Sequence, residues 1–349
     1  MSYKQLFTFY ALLVLGVSFS SHVYAENSAR LHILSYVGLN QEQDIGVIED
    51  HLSYFKSNRV PVMTLKNIGG FLKGRKDGVA GVAIVFFNIL PERLKNIEPL
   101  FQERKLPFTA FISFDEWRAA EDKELLQTLT KKNGVAFGLI LPEYKENQNV
   151  NDFRSELNRS VAFYREIFNS PPKYVAFSGG LYSKDMKDVL GDYDFEVIMG
   201  TNTGVLTSQN ILDDWPVSEI DVSDDATLQS LEMTLQTHSF HVEDVLPTAT
   251  IVHTQKPNLG FTVKGEDTEE LEERLKCYAS DIGKINMYSI LGKRVELRPE
   301  LEPFKQTKIN CIYSGEEDKQ GTTQWSRIGF FLQYIPKSNL QDELPEPQE

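Results

Sequence analysis

Apolar positions along this chain fall into short continuous runs, separated by stretches in which they recur every three or four residues. The densest run is Val79 to Leu90, centred on Val82-Ala-Ile-Val-Phe-Phe-Asn-Ile89. Unbroken β-branched and aromatic residues over this length predict a strand buried on both faces, as in parallel sheets covered by helices. Arg30 to Val37 predicts the first strand, and Val60 to Leu65 a short one before a Gly-rich turn (Gly69, Gly70, Gly74, Gly78). Further strands are expected at Pro107–Ser113, Val135–Leu141, Tyr174–Phe177 and Phe195–Met199. Helical spacing occupies the gaps: Asp44–Ser57, a helix opened by Pro91, Asp115–Lys132, Asp152–Phe168 and Lys184–Leu190.

Strands alternating with helices at this pitch mean parallel βαβ units. The expected fold is α/β, a (β/α) barrel that is incomplete, with about seven strands. Near residue 202 the pattern changes to turn clusters and short apolar runs, among them Lys276–Ala279, Arg294–Leu297, Lys308–Tyr313 and Ile328–Tyr334. Residues 260–336 are therefore expected to form a β-rich C-terminal domain after a barrel over 26–259. The proline-bearing acidic tail, 337–349, is expected to be disordered.

The first 25 residues change the picture of where the protein works. Lys4 precedes an apolar stretch from Leu6 to Phe19, and Val23-Tyr24-Ala25 fits a cleavage site. The stretch is short of the ~20 residues a membrane span needs. Residues 1–25 are thus expected to be a signal peptide, giving a periplasmic or secreted chain with no transmembrane anchor after cleavage. The net charge of −14 becomes −15 once Lys4 is removed (−14 − 1). An acidic surface of this size repels nucleic acid and anionic lipid. The two cysteines, Cys277 and Cys311, permit one disulfide in an exported chain, the alternative being two buried thiols.

In order, these segments resemble the polysaccharide deacetylase family, the NodB-homology or carbohydrate esterase family four domain. Ile33-Leu34-Ser35-Tyr36 is similar to the family's opening strand, and Val82–Ile89 stands for its central Val-Ala-Leu-Thr-Phe-Asp-Asp-Gly. Pro107-Phe-Thr-Ala-Phe111 follows, then the Glu-bearing helix from Glu156 to Phe168 and a groove motif echoed by Phe177-Ser-Gly-Gly-Leu-Tyr182. The resemblance runs from Leu31 to Gly204 and reaches His253 weakly. It implies a divalent metal held by one Asp and two His, with a neighbouring Asp as general base and a late His as acid.

This chain departs from that pattern at each of those positions. Phe87 stands where the base would be and Asn88 where the metal-binding Asp would be, while Ile140 and Tyr144 replace the two histidines. Ala176 takes the place of a frequent Arg. An Ile side chain has no lone pair, so neither metal nor cofactor is expected. His253 is a weak candidate for the late catalytic His, the competing reading being a histidine satisfied at a strand end. Asp213-Asp214-Trp215 resembles a cleft-lining loop, or is simply a capped turn. His238 and His241, three apart on an expected strand, would point to opposite faces. Glu143 has no visible partner.

The leading expectation is a catalytically silent deacetylase-like protein of carbohydrate metabolism that binds glycan or a cell-envelope protein. Tyr144, Tyr182 and Trp215 are its glycan-binding candidates, because sugar rings pack C–H faces on aromatic rings. The alternatives are an active carbohydrate amide or ester hydrolase with a relocated site, and a scaffold in polysaccharide assembly that uses the β-rich region as its contact surface.

Overall fold

A computed structural model describes residues 30–37, 43–72, 81–117, 120–146, 148–206, 217–222, 227–265, 268–317 and 323–337. The expected signal peptide, residues 338–349 of the acidic tail and Asp213-Asp214-Trp215 lie outside them. Eight parallel strands build the first sheet: β1 (Leu31–Tyr36), β2 (Val62–Met63), β3 (Gly81–Phe87), β4 (Phe108–Ile112), β5 (Val135–Ile140), β6 (Tyr174–Ala176), β7 (Val197–Thr203) and β8 (Val217–Asp221). β1 pairs with both β3 and β8, so seven of them close into a ring and β2 adds to the outside of β3. The expected (β/α) barrel of about seven strands is the one found, and its ring of seven closes on itself. The closing strand β8 follows the point at which the sequence pattern loses its alternation, which hides it from a periodicity reading.

Side-chain alternation divides the barrel into two cores. On β1, Leu31 and Ile33 point inward to Ala83, Val85, Phe111, Ile140 and Met199, while Leu34 and Tyr36 point outward to the helices. The outer layer is α1 (Gln43–Ser57), α3 (Pro91–Arg104), α4 (Ala120–Leu129), α5 (Val150–Phe168), α6 (Lys184–Leu190) and α7 (Leu228–Gln236), with α2 (Leu65–Leu72) between β2 and β3. α2 occupies much of the stretch expected to be strand and Gly-rich turn. Its Leu65 and Ile68 are fully buried in the inner core, and that burial overrides the low helix propensity of Gly69 and Gly70.

Downstream, strands from both sides of residue 260 share two sheets. One has the order β10 (Val242–Leu246), β12 (Leu259–Val263), β16 (Arg294–Leu297), β15 (Met287–Leu291). The other runs β11 (Ile251–Val252), β18 (Thr323–Tyr334), β17 (Gln306–Glu317), β13 (Leu275–Ala279), β14 (Gly283–Ile285), with β9 (His238–Ser239) also on β18. A boundary at 259/260 therefore cuts through paired strands; residues 238–252 pack with the C-terminal region. Phe261, Leu275, Ile309 and Phe330 fill the space between the sheets, beside α8 (Thr268–Arg274). Cys277 and Cys311 face each other across β13 and β17 and form a disulfide.

This sandwich packs directly on the barrel. Asn202 Oδ1 accepts a hydrogen bond from the Phe331 backbone at 2.9 Å, Lys308 lies 3.5 Å from Asp221, and Gly204 bridges to Ile328. Gly329 is needed at the seam, since a Cβ there would sit 2.6 Å from Thr203 Cβ.

Candidate functional site

The strands of the ring are parallel, so their C-terminal ends share one mouth, where side chains are free of the packed interior. A cavity of about 330 Å³ lies there. β3 contributes Phe87, whose ring stacks on Phe111 at 5.0 Å between centroids. The next residue, Asn88, sits in the left-handed region (φ 51°), which Asn tolerates better than most non-glycine residues. Its side chain is exposed and donates from Nδ2 to Glu116 Oε1 at 2.9 Å. Leu90 and Pro91 then open α3, bringing Arg93 to the rim.

β5 contributes Ile140, an apolar wall continuous with the inner core. After β6 the chain makes a tight turn through Gly179 (φ 54°) and Gly180 (φ 72°). Gly180 presses on β7 so closely that a Cβ would sit 2.0 Å from Thr201 Oγ1. Thr250 fastens this turn from the C-terminal region, donating to the Gly180 carbonyl and accepting from the Tyr182 backbone N–H. Tyr36, at the end of β1, also lines the mouth, and its hydroxyl is hydrogen-bonded to His51 Nδ1 at 2.7 Å. Burial raises the pKa of that phenol, keeping it neutral.

The ionisable group that the sequence reading missed is Glu219 on β8. It lines the cavity although only 3 % of its surface is exposed. Burial pushes its carboxyl well above the usual carboxylate range, with a further push from Asp221; Ser35 and Lys308 pull the other way. Ser35 stands close without completing a hydrogen bond of normal geometry, and Glu219 Oε2, Ser35 Oγ and Thr201 Oγ1 are all buried and unpaired among the described residues. The available signal was Val217-Ser-Glu-Ile-Asp221, in which 217, 219 and 221 share one face of a strand.

Other expected site residues stand elsewhere. Tyr182 is fully buried and stacks on Phe177 at 4.3 Å, so a sugar cannot reach its ring face. Tyr144 is half-buried against the outer core and does not line this cavity. His253 does not line it either; it follows β11 and donates from Nδ1 to the Ile335 carbonyl at 2.8 Å. His238 accepts from Arg30 Nη1 at 2.9 Å. The mouth thus brings together Phe87, Asn88, Ile140 and Ala176 from the expected set, and adds Arg93, Thr201 and Glu219.

This geometry, helices around a parallel ring with its opening at the strand ends, is shared with solved structures. The deacetylase PplD of Streptococcus pyogenes, solved in complex with acetate, superposes with a TM-score of 0.51 at 12 % identity, over 60 % of this chain and 99 % of its own. The polysaccharide deacetylase BC0361 of Bacillus cereus gives 0.50 at 13 % identity, over 60 % and 69 %. Residues 75–198 match the polysaccharide deacetylase family. No curated protein sequence matches. The deacetylase-like match runs from β3 to the start of β7 and so contains Phe87, Asn88 and Ile140 as well as Tyr144.

A metal of the kind the family resemblance implies does not fit the donors at those positions. Phe87 and Ile140 offer no lone pair and Tyr144 packs against the outer core, which leaves the neutral amide oxygen of Asn88 as a lone ligand. Among the described residues no group of three or more His, Cys, Asp or Glu is close enough to share an ion.

Proposed function

We propose that this chain is an exported, deacetylase-like glycan-binding protein that does not use the family's metal chemistry. The observation that carries the reading is the make-up of the barrel mouth. The family's base and ligand positions hold Phe87, Asn88 and Ile140, while the cavity persists at about 330 Å³. An aromatic edge, an amide and aliphatic walls suit the mixed C–H and hydroxyl surface of a sugar, and small-ligand sites of this kind are mostly apolar with a few polar groups. The leader-like first 25 residues and the Cys277–Cys311 disulfide support export. Among the described residues no helix is long and apolar enough to cross a membrane.

Glu219 favours a second reading, hydrolysis at a relocated site, because a carboxyl held neutral in a cleft is suited to general-acid work. One experiment separates the two. Chitooligosaccharides and acetylated amino sugars are added to the full-length protein, and both binding and acetate release are followed with and without a chelator. Millimolar or tighter binding without acetate release supports the glycan-binding reading. Acetate release that survives chelation replaces it with the hydrolase, and the absence of any binding removes it.

A further inference from the structure

Among the described residues, the mouth carries an unpaired cation and unpaired buried polar atoms around one cavity. Arg93 sits in the first turn of α3, whose N-cap Leu90 supplies no side-chain bond, so the positive end of the helix dipole points at the rim. Among the described residues no hydrogen bond or ion pair engages its guanidinium, and it is half-buried rather than waving in solvent. The same cavity is lined by Glu219 and Thr201, whose Oε2 and Oγ1 are buried without partners. Buried polar atoms are nearly always satisfied, so unpaired ones lining a cavity are open to a partner that enters it. Phe87, Ile140 and Met199 supply apolar wall between these groups.

We propose that the barrel mouth binds a uronic acid residue of an acidic glycan, with Arg93 pairing the sugar carboxylate and Glu219 and Thr201 taking ring hydroxyls. The proposal rests on the glycan-binding reading and names its ligand. A planar guanidinium matches a carboxylate bidentately, charge for charge. A phosphate dianion would carry a second charge, for which the cavity lining offers no second cation among the described residues. The site opposes the protein's overall charge of −14, so an acidic ligand must be drawn by this local feature and not by the general field.

Protonated Glu219 can both donate to and accept from hydroxyls, as a sugar requires. The charged and polar groups facing it are Asp221 on its own strand, Lys308 from β17 and Ser35 from β1, with Thr201 from β7 in the shared cavity. Ionising it would set a second negative charge in the mouth, so binding should weaken as pH rises through its elevated titration.

The test is calorimetric titration of the full-length protein with trigalacturonate, with its neutral methyl ester and with chitotriose, at pH 6 and pH 8. Trigalacturonate should bind at least tenfold tighter than its ester at pH 6. Arg93→Gln should bring that ratio close to one, whereas Lys95→Gln, an exposed cation on the same helix, should leave it unchanged. Glu219→Gln should abolish whatever loss of affinity the wild type shows as pH rises. If ester or chitotriose binds as tightly as the acid, or Lys95→Gln matches Arg93→Gln, the acidic preference is refuted while glycan binding stands. If none of the three sugars binds, both fall.

Discussion

Glu219 and His32 are buried ionisable residues whose titrations act on stability from opposite sides of neutrality. Glu219 is held protonated in the folded chain above the pH at which an unfolded carboxyl ionises, near 4.5. As pH rises from there, the unfolded state binds fewer protons than the folded one, so stability falls toward the folded-state titration. His32 is the opposite case. Burial takes its imidazole down to about 4 while Nε2 donates to the Thr237 carbonyl at 3.1 Å. Its contribution is complete above an unfolded pKa near 6.5 and is lost as pH falls toward 4. Stability of the wild type should therefore decline on both sides of a maximum. Glu219→Gln keeps size and hydrogen-bonding capacity but cannot ionise, so it should remove the alkaline decline alone. The variant should be more stable than the wild type above the pH at which an unfolded carboxyl ionises, by a margin that grows as pH rises, measured by urea unfolding. An unchanged alkaline slope would mean that Glu219 is not the buried acid described above.

At the scale of elements, the turn between β6 and α6 shapes the cavity, and glycine is what allows it. Gly180 has a positive φ and lies against Thr201, so Gly180→Ala meets both backbone strain and a clash with a side chain on β7. A cost of about 1–3 kcal/mol is expected, together with weakened sugar binding, because Thr201 must shift within the cavity wall. Gly46→Ala is the control: a Cβ there meets nothing within 4 Å, and calorimetric unfolding should show no loss. This turn was legible as a motif, Phe177-Ser-Gly-Gly-Leu-Tyr182, but its consequences were not. A sequence shows that two glycines are adjacent; it does not show that Thr250, about 70 residues later, fastens them. For the same reason Tyr182 read as a groove aromatic, although its ring is stacked beneath Phe177. The buried strands β3, β4 and β5 were legible because their hydrophobic runs are unbroken. β8 was not: Ser218, Glu219 and Asp221 break up its apolar run, and closure of the barrel depends on pairing with β1, which lies some 185 residues away and leaves no local trace.

On the scale of the whole molecule, the sandwich and the barrel share one seam, and the disulfide lies deep in the sandwich. Cys277 and Cys311 are fully buried among Leu275, Ile309 and Phe330 and are separated by 34 residues. In the chain-entropy account, opening a loop of that size removes about 3–4 kcal/mol of stability. The loss reaches the barrel through β18, whose Phe331 backbone bonds Asn202 and whose Gly329 lies against Thr203. The same region supplies Thr250 to the turn that walls the cavity, so loosening the sandwich should also relax the mouth. Cys277→Ala/Cys311→Ala should accordingly lower the urea midpoint in one transition, with Trp117 fluorescence in the barrel and hydrogen exchange at β17 reporting the same curve. Trp117 is fully buried and donates from Nε1 to the Ile89 carbonyl beside the mouth, so its surroundings report the barrel directly. Two separated transitions, with β17 opening first and Trp117 unmoved, would show that the seam transmits too little energy to join the regions. The sandwich would then be an independent appendage and not a brace for the site.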